Sequence, residues 1–277
     1  MKIAMFLVVP FLAASAPAPH PLAEPPAPVV AFSKALPAYF AEFENYVASE
    51  RTVQQVMREN TAMVFRSRVL ESDYEVAHLG EDPSALWEFR FVRSVDGRKI
   101  DADRQMGDFF RLRQPSAAAE RRSIVELARQ KSLPGYYWHN LTLTLLAFDT
   151  ETLGDFDWTS RSDQFAFRQT RGPGIPEDLF DPDSPRHYPS GTITFDPKGG
   201  WLSRLYLEWT GGERRARITM KFSPPAAPGR IALPLRYEAV HERRTSGAVV
   251  DRTTFDYSNF RRFTVTTDQV EGPPAKN

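Results

Sequence analysis

The chain has 277 residues, in which 35 basic side chains balance 35 acidic ones, and it has no cysteine. A protein built around nucleic acid normally carries a basic excess or a basic stripe, so this balance argues against nucleic-acid binding. The lack of cysteine excludes disulfides and thiolate metal sites, and the chain is long enough to bury a large core without them.

The N-terminal segment has the pattern of a cleavable secretion signal. A lysine at position 2 is followed by the apolar run Ile3–Leu12 and by Ala14-Ser15-Ala16, a small-x-small cleavage pattern. The apolar run is too short to cross a hydrocarbon core of about 30 Å. We therefore expect residues 1–23 to be a signal peptide, and the mature protein to be periplasmic or extracellular, without a lipid anchor or a transmembrane segment.

The remaining chain divides into a tether, one domain and a tail. Residues 24–31 are rich in proline and have too little apolar mass to pack, which predicts a flexible tether. Residues 269–277 have the pattern of a disordered tail, so a single domain is expected at 32–268. Within it, an apolar stripe at helical spacing predicts a helix over about 34–49, with Ser33 as its N-cap.

Most of the domain has the pattern of antiparallel strands, which predicts a mainly β protein of the α+β class. In Leu86–Val95 apolar and charged residues alternate, as in a strand with one buried face, and Asp96-Gly97 supplies a hairpin turn. Helices are predicted between 101 and 133, and 141–148 fits either a helix or a strand. Further strands are predicted at 61–68, 74–78, 155–161, 164–169, 191–196, 201–210, 213–222, 231–243, 249–257 and 261–267, with a long loop at 171–187.

No motif for catalysis or metal binding stands out. The five histidines are not spaced as metal ligands, and no serine lies in a Gly-x-Ser-x-Gly motif. Glu177, Asp178, Asp181 and Asp183 share one loop, but their spacing is not that of a calcium site. We therefore expect a non-enzymatic protein with no catalytic residue, no metal and no cofactor. The alternative is an envelope hydrolase, which requires two carboxylates that converge in one cleft.

Three stretches of the chain resemble a known family. They are Ser67–Val76, Trp87–Gly97 together with Asp103-Arg104, and Phe255–Val265. They resemble a family of uncharacterised secreted bacterial proteins of the acidobacterial type and, more distantly, the LolA/LolB-like lipoprotein-carrier superfamily. The resemblance implies a curved antiparallel half-barrel sheet wrapped around a few helices, with an apolar inner surface that can hold acyl chains. The chain is longer than those carriers and lacks the lipidated cysteine of the outer-membrane receptor.

The aromatic content also bears on the expected function. With 20 Phe, 9 Tyr and 5 Trp, a curved sheet over helices either fills its core or leaves an apolar concavity for a ligand. We expect a protein that binds a hydrophobic, lipid-like ligand or a cell-envelope partner. A structural or stress-sensing protein-interaction module is the alternative from another class. The residues expected to line the inner apolar face are Trp87, Phe89, Phe91, Leu205, Leu207, Trp209, Ile218, Met220 and Phe222.

Overall fold

The computed structural model describes residues 24–58, 61, 63–78, 86–100, 118–133, 141–161, 163–176, 186–211, 213–226 and 231–262. The helices within this part are α1 (Ala27–Phe43), α2 (Ala118–Lys131) and α3 (Leu141–Leu146), with a 3-10 turn at Leu153–Asp155. The strands are β1 (Tyr46–Met57), β2 (Val64–His78), β3 (Leu86–Val95), β4 (Arg98–Lys99), β5 (Phe156–Arg161), β6 (Gln164–Gln169), β7 (Ile175–Pro176), β8 (Arg186–His187), β9 (Ser190–Phe195), β10 (Leu202–Gly211), β11 (Arg214–Phe222), β12 (Pro234–Arg243) and β13 (Val249–Arg262). The predicted signal peptide, the predicted tail and the acidic loop residues 177–183 lie outside the described residues.

Eleven of the described strands form one curved, open, antiparallel sheet. Its order is β4-β3-β2-β1-β13-β12-β11-β10-β9-β6-β5, so β1 and β13, from opposite ends of the described chain, are neighbours within it. Strands β7 and β8 form a separate small pair. The predicted fold class, a mainly β protein with a curved antiparallel sheet and few helices, is confirmed.

The core lies on one face of this sheet. We call the face that carries Tyr74, Leu205 and Phe255 the inner face, because these residues pack with helices α1 and α3 in the main hydrophobic cluster. The opposite face is the outer face, and residues of a strand alternate between the two. Helix α1 contacts the inner face through aromatic rings, with Phe32 5.9 Å from Phe195 and Phe43 6.4 Å from Tyr74 between ring centroids.

The beginning of the described chain differs from the prediction. Helix α1 starts at Ala27, because Pro28 lies in the first turn, where its missing N–H needs no partner. Val29 is fully buried, so residues 27–31 belong to the fold and not to a tether. Ser33 is not an N-cap but a buried residue inside the helix. The helix ends at Phe43, where the prediction had continued it to 49.

Most of the other predicted elements are found, with some merged. Strand β2 joins the two segments predicted at 61–68 and 74–78, and β13 extends to Arg262. Residues 141–146 are helical, which decides between the helix and the strand that the sequence left open for this segment. Asp96 and Gly97 have φ angles of 50° and 77°, as the predicted hairpin turn requires. In the described part of the chain, no helix is both long enough and apolar enough to span a membrane.

Candidate ligand-binding groove

A groove of about 860 Å³ runs along helix α1. On one side it is bounded by the helix face that carries Phe32, Ala35 and Tyr39. The other side is formed by the β9–β10 turn and by the connection from β11 to β12. Its volume falls in the range of roughly 300–1,000 Å³ that is typical of small-molecule sites. The residues on the sheet side include Phe195, Trp201, Leu202, Phe222, Ile231 and Ala232.

The lining of the groove is apolar and in part still open to solvent. Phe195, Leu202 and Phe222 are buried at its base, whereas Phe32 and Trp201 are only half-buried. Leaving a large apolar side chain in water forgoes roughly 1.5–3 kcal/mol. A hydrophobic molecule seated here would therefore gain from contact with side chains that the fold itself does not cover.

Polar groups of the groove lie near Tyr39 and at one rim. Tyr39 has a half-buried ring, but its hydroxyl oxygen is buried and has no hydrogen-bond partner among the described residues. Burial raises the pKa of this hydroxyl, so it stays protonated and able to donate. At the rim, Arg262 Nη2 lies 3.1 Å from Glu42 Oε2. The groove can thus accept an apolar body together with a polar group.

A second cavity of about 450 Å³ lies along another side of α1. It is bounded by Pro37, Phe40 and Ala41 of the helix and by Leu146 and Asp149 after α3. Leu36 contributes to the lining of both spaces. Helix α1 is therefore flanked by open volume in two directions, although its buried residues anchor it to the inner face.

A group of buried charges lies on the inner face where β1, β2 and β3 meet. Arg90 Nε is 3.0 Å from both carboxylate oxygens of Glu50, and Arg90 Nη2 is 3.3 Å from Glu88 Oε2. Thr52 donates its hydroxyl to Glu50 at 2.9 Å, and the backbone N–H of Thr142 in α3 donates to Glu88 at 2.7 Å. All three charged side chains are almost completely buried. Each is therefore held by specific partners, as a buried charge must be.

The electrostatics of this group follow from burial and from its mixed charges. Burial raises the pKa of Glu88, although Arg90 and the Thr142 amide lower it in part. For Arg90, burial lowers the pKa, but Glu50 and Glu88 outweigh that effect and the pKa is raised. The guanidinium therefore stays charged. It also lies 5.0 Å from the ring centroid of Tyr74 and 5.1 Å from that of Phe255, which are cation–π distances.

Aromatic rings connect the groove to the buried charges. Tyr39 in the groove lies 5.7 Å from Phe43, Phe43 lies 6.4 Å from Tyr74, and Tyr74 lies 5.1 Å from Tyr257. Burial raises the pKa of both Tyr74 and Tyr257, whose hydroxyls have no hydrogen-bond partner among the described residues. The charges thus lie within the core behind the groove and not in its lining.

The structure divides the nine predicted inner-face residues into two groups. Six of them lie on the inner face in or against the main core, and of these Phe222 also lines the groove. The other three lie on the outer face of β3, where they form a separate cluster with Ala77 and Ile124 of α2. The predicted inner-face position is wrong for Trp87, Phe89 and Phe91. Glu88 and Arg90, which alternate with them along β3, face inward instead. The six inner residues are Leu205, Leu207, Trp209, Ile218, Met220 and Phe222; a role of any of the nine in ligand binding stays a prediction.

Sequence reasoning missed most of the groove lining. Tyr39 belongs to the apolar stripe of the predicted helix and Ala35 does not, and the stripe does not show that both border an open space. Trp201 and Ile231 follow turns marked by glycine or proline, and such turn signals indicate where strands end but not which ends meet. Arg90 alternates with aromatic residues, a pattern that predicts one buried face and does not show that the charged face is also buried.

Other predicted candidates can be placed as well. Glu50 and Glu88 are two carboxylates that converge, but they do so around Arg90 inside the core, whereas the carboxylate in the groove lining is Glu42. Of the histidines, His241 Nδ1 lies 2.5 Å from Asp251 Oδ1, and His187 stacks on Trp209. Among the described residues, no group of three or more histidine, cysteine or acidic side chains is arranged to hold a metal ion.

The chain shows only weak likeness to known proteins. No family model matches it, and no curated protein matches it. It is similar to the crystal structure of a DUF1329 family protein from Desulfovibrio piger, with 12% identity over 87% of this chain and 95% of that chain, and a TM-score of 0.30. It is also similar to a LolA superfamily protein from Nitrosomonas europaea, with 9% identity over 85% of this chain and 94% of that chain, and a TM-score of 0.27.

These likenesses are too weak to establish a family or an activity. The second solved structure is named as a member of the superfamily that the sequence distantly resembles. The acidobacterial part of the prediction is not supported by the comparisons. With TM-scores this low, neither structure indicates what this chain binds.

Proposed function

We propose that the chain is a non-enzymatic, exported protein that binds a hydrophobic, lipid-like ligand in the groove beside helix α1. The observation that carries this proposal is the groove of about 860 Å³, bordered by aromatic side chains that the fold leaves half-covered. Export is proposed from the sequence pattern of residues 1–23, which has a short apolar run before a small-x-small site.

The polar groups of the groove favour an amphipathic ligand over a pure hydrocarbon. A buried hydroxyl without a partner is costly, so a ligand group that accepts from Tyr39 would recover that cost. Arg262 at the rim offers a positive charge, although Glu42 competes for it at 3.1 Å. A long-chain fatty acid has the apolar body and the single acidic group that this combination suits.

A fluorescent fatty acid, cis-parinaric acid, tests the proposal on protein stripped of lipid by unfolding and refolding. Displacement by palmitate measures the competing affinity. Ala35→Trp places a bulky ring in the groove, and we expect it to weaken binding at least about tenfold, which corresponds to about 1.4 kcal/mol. Ala41→Trp is the matched control, because Ala41 is exposed on the same helix but borders the smaller cavity.

Three results of this experiment would have different meanings for the proposal. Binding that Ala35→Trp weakens and Ala41→Trp leaves within about twofold supports the groove as the site. Equal loss in both variants would show that α1 as a whole matters and the groove does not. The proposal also fails if stripped wild-type protein binds neither cis-parinaric acid nor palmitate.

A further inference from the structure

The tip of the β1–β2 hairpin exposes three consecutive large apolar side chains. Met63 and Phe65 are each 63% exposed, and Val64 is 46% exposed. A single exposed apolar residue is ordinary, but a contiguous exposed group marks a contact surface. Neither the groove nor the buried charges involve these residues.

The tip extends beyond the sheet on one side. Strand β2 pairs with β1 down to Val64, opposite Met57, but its pairing with β3 begins only at Leu70, opposite Val95. Among the described residues, the stretch 64–69 therefore has a neighbouring strand on the β1 side alone. Six residues of strand span about 20 Å. This length carries the apolar tip beyond the end of β3, whereas β13, on the other side of β1, begins at Val249, level with the end of β1.

The surroundings of the tip are basic. Arg58 and Arg66 are exposed on the hairpin, and the guanidinium of Arg66 lies 5.3 Å from the centroid of the Phe65 ring. Arg98 and Lys99 are exposed on β4, further from the tip, beside the end of β3 that pairs with Leu70. The nearby acid Asp96 is paired with Arg68 at 3.6 Å, and Arg68 also donates to the carbonyl oxygen of Lys131 at 2.8 Å. Among the described residues, the exposed charges beside the apolar tip are thus predominantly positive, and the sequence adds one acid, Glu59, after Arg58.

We propose that this hairpin tip docks the protein on a bilayer that contains anionic phospholipid. Apolar side chains that enter the interface and basic side chains that face anionic head groups contribute together to such binding. Strand addition by a second copy is disfavoured, because Arg66 lies in the middle of the unpaired edge and charged residues on an edge oppose pairing.

The docking geometry places the groove away from the membrane. Tyr46, at the start of β1, pairs with Arg262 at the groove rim, whereas Met57 at the end of β1 is beside the tip. Twelve strand residues separate the two ends by about 40 Å. A protein bound by the tip therefore presents its groove to the space beyond the bilayer. The tip proposal does not depend on what the groove holds.

Vesicle flotation of the full chain tests the proposal, with phosphatidylcholine vesicles compared against vesicles in which about a third of the lipid is phosphatidylglycerol. Met63→Ser/Phe65→Ser removes the apolar contact, and Arg58→Gln/Arg66→Gln removes two charges. We expect the first pair to weaken partition at least about tenfold, and the second to weaken it about fivefold per charge on anionic vesicles only. Added salt weakens the wild-type binding, since it screens the charges.

Matched controls carry equal changes elsewhere on the surface. Tyr188→Ser/Leu235→Ser replaces two side chains that are 56% and 46% exposed away from the tip, and Arg168→Gln/Arg204→Gln removes two exposed charges. All variants retain residues 1–23, so any binding by that apolar segment is common to them. Loss in the tip variants alone supports the proposal. Three results would overturn it. The wild-type protein does not float, or every variant binds equally. The third is a wild-type dimer that the serine pair abolishes, without any vesicle binding.

Discussion

At the scale of single residues, the inner face combines large apolar side chains with a charge group that acts as a unit. Removing one partner from a buried ion pair commonly costs about 3–5 kcal/mol, whereas replacing the whole group by apolar residues is often neutral. Glu50, Glu88 and Arg90 are therefore mutually dependent. Their burial could not be predicted from β3 itself, because aromatic and charged residues alternate there and hydrophobicity alone assigns the aromatic set to the core. Phe89 and Phe91 are buried on one face of β3, and Glu88 and Arg90 are buried on the other.

Two buried hydroxyls, one without a partner and one with a partner, give predictions of opposite sign. Tyr39→Phe removes a buried hydroxyl that has no partner among the described residues, so we expect it to raise the free energy of unfolding of lipid-free protein by about 1 kcal/mol. Thr52→Val removes a buried hydroxyl that donates to Glu50 at 2.9 Å, so we expect a loss of about 1–3 kcal/mol. Urea unfolding of both variants measures the difference. A destabilised Tyr39→Phe would mean that its hydroxyl already has a partner.

At the scale of elements, strand β1 shows why part of the fold escaped prediction. Its inward side chains Glu50, Thr52 and Gln54 are polar but almost fully buried, so the strand lacks the apolar alternation by which strands are recognised. The strands of the large sheet from β5 onward were predictable, because each carries one apolar face toward the core, as β11 does with Ile218 and Met220. The two-residue strands β7 and β8 lie in the segment 171–187, which was predicted to be a loop. The pairing of β1 with β13 joins distant parts of the chain, and local patterns carry no information on it.

The pairing of β9 with β10 depends on a glycine at one position. A Cβ at Gly191 would lie 2.0 Å from the carbonyl oxygen of Tyr206 and 2.8 Å from Cα of Leu207, so the backbone must move to admit it. We expect Gly191→Ala to lower the free energy of unfolding by about 2–3 kcal/mol, as overpacking typically does. Gly154→Ala is the control, because a Cβ there meets nothing within 4 Å and should change stability by less than about 0.5 kcal/mol. Equal effects in urea unfolding would contradict the close approach.

At the scale of the whole molecule, the inner face is divided between two kinds of lining. The strands from β3 to β1 carry buried polar and charged residues, and those from β12 to β5 carry mainly apolar ones. Helix α1 lies over the apolar part, and cavities remain beside it because it contacts the sheet through long side chains. The half-barrel was predictable from the one-sided strands and the resemblance. The groove was not, since it depends on the distance between α1 and strand ends that lie far apart in the sequence.

This arrangement predicts where a bound ligand changes the dynamics. Because α1 is bordered by open volume, we expect its amides to exchange hydrogen faster than those at the centres of β1 and β13, which have a strand on each side. Palmitate at about one hundred times its Kd should slow α1 exchange by up to about one hundredfold. The reason is that a liganded molecule must release palmitate before the amides of α1 can open and exchange. Hydrogen–deuterium exchange with peptide resolution measures this. We expect the Ala35→Trp variant to lose this slowing and the Ala41→Trp variant to keep it. Slowing confined to α2 and β3, away from the groove, would instead place the ligand on the outer-face cluster of Phe89 and Phe91.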